Sequence, residues 1–182
     1  KSKNYACYIS QNKGENREWI RTLLIRMGFR RVHERKGDLW FTDKEIHAHL
    51  RPLGNSAQKY IPAYLFEYPQ SVQERFCQAM FRGDGDGKRR YFTTSKRLAD
   101  DMQRLFTLMG YRSSLGTQKQ SQKGFSKGSK KVLYRVYRAR NAYIYVDHKP
   151  KPERYRGVVS CVSVPNGIIV VRSSRRKPLV VG

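Results

Sequence analysis

Two stretches of the chain repeat one another with Gly28 and Gly110 in step, 82 residues apart. Residues 23–30 read LLIRMGFR and residues 105–112 read LFTLMGYR. Each closes an amphipathic helix. Ile20, Leu23, Leu24 and Met27 share one face of the first, and Leu98, Met102, Leu105, Phe106 and Met109 share one face of the second. Gly28 and Gly110 then supply the left-handed residue just past each helix end. Ser95 is a suitable N-cap for the second helix, and the polar turn at 12–16 opens the first. A β-like run precedes each helix (5–10, YACYIS; 90–94, RYFTT). β-rich segments follow at 30–42, and at 112–114 with 132–146. The unit is strand–helix–strands, used twice. This predicts an α/β (α+β) fold.

Between the copies the spacing predicts another helix over 71–83. Pro69 stops what precedes it, and Ser71 with Glu74 forms a capping box. Val72, Phe76 and Met80 make its apolar face. Ala79 and Gly83, four residues apart, leave a flank without bulk where a second backbone can approach. The helix runs into Gly83-Asp84-Gly85-Asp86-Gly87. A carboxylate just past a helix C-terminus is repelled by the negative end of the macrodipole, and the same arrangement attracts a divalent cation. Mg²⁺ takes oxygen ligands and typically one or two carboxylates. A plain Asp-Gly surface turn is the other reading. An EF-type calcium loop is excluded, because Lys88 and Arg89 stand where Asp or Asn and then Gly are required.

The net charge is +24, and 12% of residues are aromatic. The aromatics argue for a packed core rather than a disordered polycation, and the charge calls for a polyanionic partner, foremost nucleic acid. An RNA-binding ribosomal protein would carry similar charge. Cys7, Cys77 and Cys161 lie far apart, with no CxxC pair, which argues against a disulfide framework or structural zinc and favours an intracellular setting. No apolar run approaches membrane-spanning length. The opening Lys1-Ser2-Lys3-Asn4 lacks an initiator Met and a signal segment, so a fragment is expected.

The run 131–146, KVLYRVYRARNAYIYV, interleaves Arg135, Arg138 and Arg140 with Tyr and Val. A bulge near Arg138 is needed to bring all three to one face. Arg30, Arg31, Arg35 and Lys36 in the first copy, and Lys88, Arg89, Arg90 and Arg112 in the second, extend this basic surface. A β-ribbon fits a DNA major groove, where Arg reads guanine. Residues 117–131 are polar and basic and read as a loop. Residues 51–68, with Pro62, read as a linker helix. His33, His47, His49 and His148 form no metal or catalytic pattern. Composition shifts at 148–153, a boundary. Beyond it, 158–164 and 168–172 flank Pro165-Asn166-Gly167, a hairpin signal.

Residues 77–85, CQAMFRGDG, resemble the motif of the LAGLIDADG homing endonucleases, with Ala79 and Gly83 as the small residues, Met80-Phe81 as the apolar step and Asp84-Gly85 as its invariant-type Asp-Gly. Arg82 stands where that family usually has an acidic residue. The run from Tyr91 to Asp100 and the helix end at Met109-Gly110-Tyr111-Arg112 are similar to the segment that follows the motif. The resemblance implies a pseudo-twofold fold with curved antiparallel sheets, in which two motif helices pack through small residues. Each brings one Asp to a shared Mg²⁺ (or Mn²⁺) site above double-stranded DNA. Asp84 is then the catalytic metal ligand, with Lys13 and Lys96 as candidates to orient solvent. Shifting the motif back by the repeat distance places Asp84's counterpart at Ser2. The expectation is therefore a monomeric two-repeat protein missing its first motif helix. Residues 1–70 are the rest of the first repeat, 71–147 the second, 148–153 a linker and 154–182 a further segment. Such a fragment binds DNA without efficient cleavage; a non-enzymatic relic or an RNA maturase is the alternative.

Residues 155–167, YRGVVSCVSVPNG, resemble the C-terminal splicing block of inteins, and endonucleases of this family are commonly embedded in inteins. This implies a host extein as partner. Cys161 is either a splicing thiol or an inert Cys buried in a strand. With Gly182 last and no terminal Asn, the chain is not expected to splice by itself.

Overall fold

The computed structural model describes residues 5–11, 14–35, 37–87, 89–119, 132–139, 152–172 and 178–181. Along the chain lie β1 (Ala6–Ser10), α1 (Gly14–Arg26), β2 (His33–Arg35), β3 (Asp38–Thr42), α2 (Lys44–Leu50), α3 (Gln70–Asp84), β4 (Arg90–Thr93), α4 (Lys96–Leu108), β5 (Ser113–Lys119), β6 (Val132–Arg138), β7 (Ile169–Arg172) and β8 (Pro178–Val181). The fold is mixed α+β, and the strand pairs among the described residues are antiparallel.

The repeat is visible in the topology. One sheet has the order β1-β3-β2 and the other β4-β6-β5. In each, the strand before the helix pairs with the last strand of the unit, and the strand just after the helix takes the edge. The helix ends match bond for bond. Gly28 N–H donates to Ile25 O and Phe29 N–H to Leu24 O at 2.9 and 3.1 Å. Gly110 N–H donates to Thr107 O and Tyr111 N–H to Phe106 O at 3.0 and 2.8 Å. Both glycines adopt positive φ, 94° and 77°, the left-handed state that closes this type of helix end.

The two copies are packed unequally. On α4, Leu98, Ala99, Met102, Leu105 and Phe106 are buried, Met109 just beyond it is buried too, and Ser95 caps the helix by accepting from Leu98 N–H at 3.1 Å. They pack with Tyr91, Leu115 and Val136 of the second sheet, Cys77 of α3 and Ile61. The first copy has a smaller core of Cys7, Leu24 and Phe41, with Ile9, Ile20, Phe29, Val32 and Ile46 packed on it. Met27, expected on the buried face of α1, is 63% exposed, because no described element covers that end of the helix.

Three other expectations are corrected. The capping box does not form: α3 begins at Gln70, Pro69 precedes it without a side-chain cap, and Glu74 accepts from Gln70 Nε2 instead. Its buried side is Gln73 and Cys77 with Phe76, Met80 and Phe81 beside them, while Val72 faces solvent. The linker over 51–68 is not a helix. It holds two short 3₁₀ turns, Arg51–Leu53 and Ala63–Phe66, since Pro52 and Pro62 interrupt helical hydrogen bonding. It is laced onto α4, with Ile61 N–H donating to Asp101 Oδ2 at 3.0 Å and Ser95 Oγ donating to Lys59 O at 2.6 Å. Finally, the tail hairpin has a different partner. The turn at Val164–Gly167 forms, but β7 pairs with β8 and residues 158–164 lie outside any strand.

Candidate functional site

The end of α3 is built for a sharp exit. Gly85 caps the helix, donating its N–H to Phe81 O at 3.0 Å, and bridges at once to Tyr91 of β4. A Cβ on Gly85 would lie 2.3 Å from Phe81 O, so only glycine lets the chain pass so close to the last turn. Asp86 then fixes the turn. Its Oδ1 accepts from the N–H groups of Arg89 and Arg90 at 3.0 and 3.1 Å, and its Oδ2 pairs with the Arg90 guanidinium at 2.5 Å.

The two carboxylates of the turn at 83–87 therefore have different jobs. Asp86 holds the loop, and Asp84 is the exposed last residue of the helix. Tyr91 sits beneath it. Burial first, and then the Asp84 charge, raises the phenol above its ordinary value. Ala79 and Gly83 lie exposed on the flank leading to Asp84, and a Cβ added at Gly83 would meet nothing within 4 Å. Among the described residues no three His, Cys, Asp or Glu side chains converge as a metal cluster. Asp84 fits a divalent cation as one carboxylate ligand of the one or two that Mg²⁺ usually takes. Cys77 is no candidate ligand: burial, opposed by Arg138 and aided by Glu74, pushes its thiol up to about 12.

Arg82 joins the copies. Its Nε–H donates to Asn16 Oδ1 at 2.9 Å, Asn16 Nδ2 donates back to Arg82 O at 2.8 Å, and the guanidinium lies 4.5 Å from the centre of the Trp19 ring. The residue where the LAGLIDADG resemblance anticipated an acid thus ties α3 to the start of α1.

The basic residues separate into two groups. Arg30, Arg31, Arg35 and Arg135 are exposed; Arg89 and Arg112 are half-buried, and Arg90 is paired with Asp86. Arg138 is not on the face of Arg135. β6 pairs without a bulge, Arg135 opposite Phe92 and Gly116 and Arg138 opposite Ser113, so odd spacing sends the two side chains to opposite faces. Arg138 shares the face of the buried Val136 and packs over the rings of Phe81 and Tyr111 at 5.3 and 4.9 Å. Lys96 opens α4 and its amine pairs with Asp100, which also binds Arg172 Nη1 at 2.5 Å. Burial opposes ionisation of Asp100, but the hydrogen bonds and charges of Lys96 and Arg172 outweigh it and hold the carboxyl below its usual value. Lys13, Lys36, Lys88, Arg140 and His148 lie outside the described residues, as does Ser2. Cys161 is exposed and outside any strand, which removes the buried-strand reading.

Both sheets keep one face for the helices and one for solvent. On the second, Arg90, Arg135 and Tyr137 point outward, and Asp86, Arg89, Arg90 and Tyr137 line a hollow of about 660 Å³. On the first, three of the outward residues are aromatic: Tyr8, Trp40 and His33 stand opposite one another across three strands. Sequence reading missed this row, because it requires the register of strands 32 residues apart (Tyr8 to Trp40).

No protein-family model matches the chain. An alignment 63 positions long, covering 30% of the chain and 12% of the relative, is 38% identical to the A subunit of DNA gyrase from Mycobacterium kansasii. No described helix is long and apolar enough to cross a membrane.

Proposed function

We propose that this chain is part of a LAGLIDADG-type homing endonuclease carried in an intein, and that Asp84 is one carboxylate of its metal site. The observation that carries the reading is the end of α3, where an exposed carboxylate follows a bare Ala79–Gly83 flank and leads into a strand–helix–strands unit that occurs twice. Mg²⁺ or Mn²⁺ bound there supplies Lewis acidity to the scissile phosphate and acidifies bound water. The chain's own residues do the rest. Asp84 ligates, Asp86 and Gly85 hold it at the helix exit, and the Ala79–Gly83 flank admits a second motif helix with its own carboxylate. Arg30, Arg31, Arg35 and Arg135 on the exposed sides of the sheets meet duplex phosphates and base edges.

With one carboxylate the chain binds duplex DNA and cuts poorly, while a longer parent with both motif helices cuts. The test pairs salt-dependent DNA binding by this chain with plasmid nicking by the parent. Binding should fall steeply with salt, and Asp84→Asn should abolish nicking by the parent. A flat salt dependence removes the DNA assignment, and a parent that binds without nicking in Mg²⁺ or Mn²⁺ removes the nuclease.

One observation favours a binding-only relic or an RNA maturase instead: the Lys96 amine is committed to Asp100 rather than poised for solvent. Competition between duplex DNA and structured RNA, with and without Mg²⁺, separates the two. An intein shares its reading frame with its host, so the likeness over 63 residues nominates a DNA gyrase as host extein. Flanking coding sequence holding an upstream acidic helix motif, and a downstream Asn followed by Ser, Thr or Cys, supports that nomination. Its absence removes both the nomination and the splicing role of 154–182 and Cys161.

A further inference from the structure

The outward face of the first sheet carries a row of three rings. Trp40 of β3 is the direct partner of Tyr8 on one side and His33 on the other. The His33 and Trp40 rings stack at 4.2 Å and 18°, and Tyr8 follows at 6.4 Å and 30°. Tyr8 is 65% exposed and His33 is exposed, while alternate residues Cys7, Leu39 and Phe41 of the same strands are buried on the opposite face. Strand alternation therefore commits these rings to solvent by register.

Next to the stacked pair is a hollow of about 670 Å³, lined among others by Arg30, Arg31, His33, Trp40 and Thr42. Asp43 at its rim is engaged in capping α2, accepting from Ile46 N–H at 2.7 Å. The volume falls in the range of small-molecule sites, roughly 300–1,000 Å³. Its chemistry is the outer face of the His33 ring, at the end of the row, beside two guanidinium groups. The second sheet differs: across β4–β6–β5 the matching rows are Phe92, Arg135 and Gly116, and Arg90, Tyr137 and Ser114.

A paired base has both faces covered by its neighbours and offers only edges to a groove. An aromatic wall gains by stacking only when a base has left the duplex, and base–aromatic stacking is the usual means of holding unpaired bases. We propose that this hollow holds one unpaired nucleotide of DNA, its base on the outer face of His33, the open end of the Trp40–His33 stack, and its phosphate at Arg30 and Arg31. The proposal rests on the DNA-binding part of the reading above and is independent of cleavage.

The test uses the whole chain and three fluorescent probes: a thymidine oligomer, a perfect duplex, and the same duplex with a one-nucleotide bulge. The bulged duplex should bind about tenfold more tightly than the perfect one. In a Trp19→Phe background, the thymidine oligomer should quench Trp40 fluorescence. His33→Ala, on an exposed edge strand, should erase the preference for the bulge and leave perfect-duplex affinity in place. Trp40→Leu, checked for folding by circular dichroism, should do the same. Equal affinity for both duplexes with unquenched Trp40 overturns the inference and leaves duplex binding standing. Failure to bind any probe overturns both.

Discussion

Two glycines at the end of α3 should respond to alanine with opposite signs. At Gly85 the new methyl carbon would lie 2.3 Å from Phe81 O and 2.8 Å from Phe81 Cα, against an ordinary contact of 3.4–4 Å. The obstacle is backbone, so the helix end or the Gly85–Tyr91 bridge must move by about 1 Å. Forcing a methyl into packed surroundings costs about 1–3 kcal/mol. The φ of −96° at Gly85 suits any residue, so the cost is steric and not torsional. At Gly83 the methyl meets nothing within 4 Å and replaces the poorer helix former, which predicts stabilisation of up to about 1 kcal/mol. For a chain of this size each kcal/mol shifts Tm by roughly 2–4 °C. Thermal and urea melts of the two variants should therefore diverge in direction. The sign at Gly83 should invert in a longer parent in which a second motif helix lies against that flank. Equal shifts for the two variants would refute the steric account of Gly85, and a stabilised parent carrying Gly83→Ala would refute the proposed helix contact.

Of the three thiols, Cys161 should react with a disulfide reagent in the native state, whereas buried Cys7 and Cys77 should react only on unfolding, the latter held near 12. Arg135→Gln should lower DNA affinity and reduce the salt slope by about one unit with little change in stability. Arg138→Gln should instead cost roughly 0.5–2 kcal/mol, the value of its ring contacts, and leave the salt slope alone. Asp100 is held below its usual value in the folded chain, so its contribution is present above the unfolded carboxylate pKa and is lost as pH falls through the lower folded one. Pulsed hydrogen exchange should show β7 losing protection across that acid window in the unaltered chain, and less protected at every pH, with no such loss, in Asp100→Asn.

What the sequence made legible follows the range of the interactions. α4 is readable because its apolar residues sit three and four apart and all meet one core, and because Ser95 and Gly110 mark its ends within a turn of the helix. Asp84-Gly85 is readable for the same reason. The tail was misread because its pairing is non-local. Residues 158–164 have β-prone composition and a good turn beside them, yet β7 pairs with 178–181, and propensity cannot choose between two candidate partners. Arg138 was misassigned because grouping three arginines required a bulge that the β4–β6–β5 register does not contain. The aromatic row on the first sheet depends on two registers at once, so no local pattern announces it.

Unequal packing of two copies of one topology has a consequence for stability. α4 buries five apolar side chains along one face, whereas α1 buries Leu24 alone and leaves Ile25 57% exposed. The first copy therefore gains less from the removal of apolar surface from water and depends more on polar ties. Two of these hold α1 from outside its helix: Glu34 of β2 receives Arg17 and Arg21 at 2.9 and 2.6 Å, and Arg82 of α3 reaches Asn16 and Trp19. Local opening should thus begin in the first copy, with α1 amides exchanging at a lower free energy than those of α4. Arg82→Ala removes the Nε bond and the ring contact, and should speed exchange in α1 by several-fold while leaving α4 at its original rate. High ionic strength should act the same way by weakening the exposed Glu34 pairs. If α1 and α4 exchange with one common free energy, and Arg82→Ala shifts both together, the copies form a single cooperative unit and the asymmetry seen in their cores carries no energetic weight.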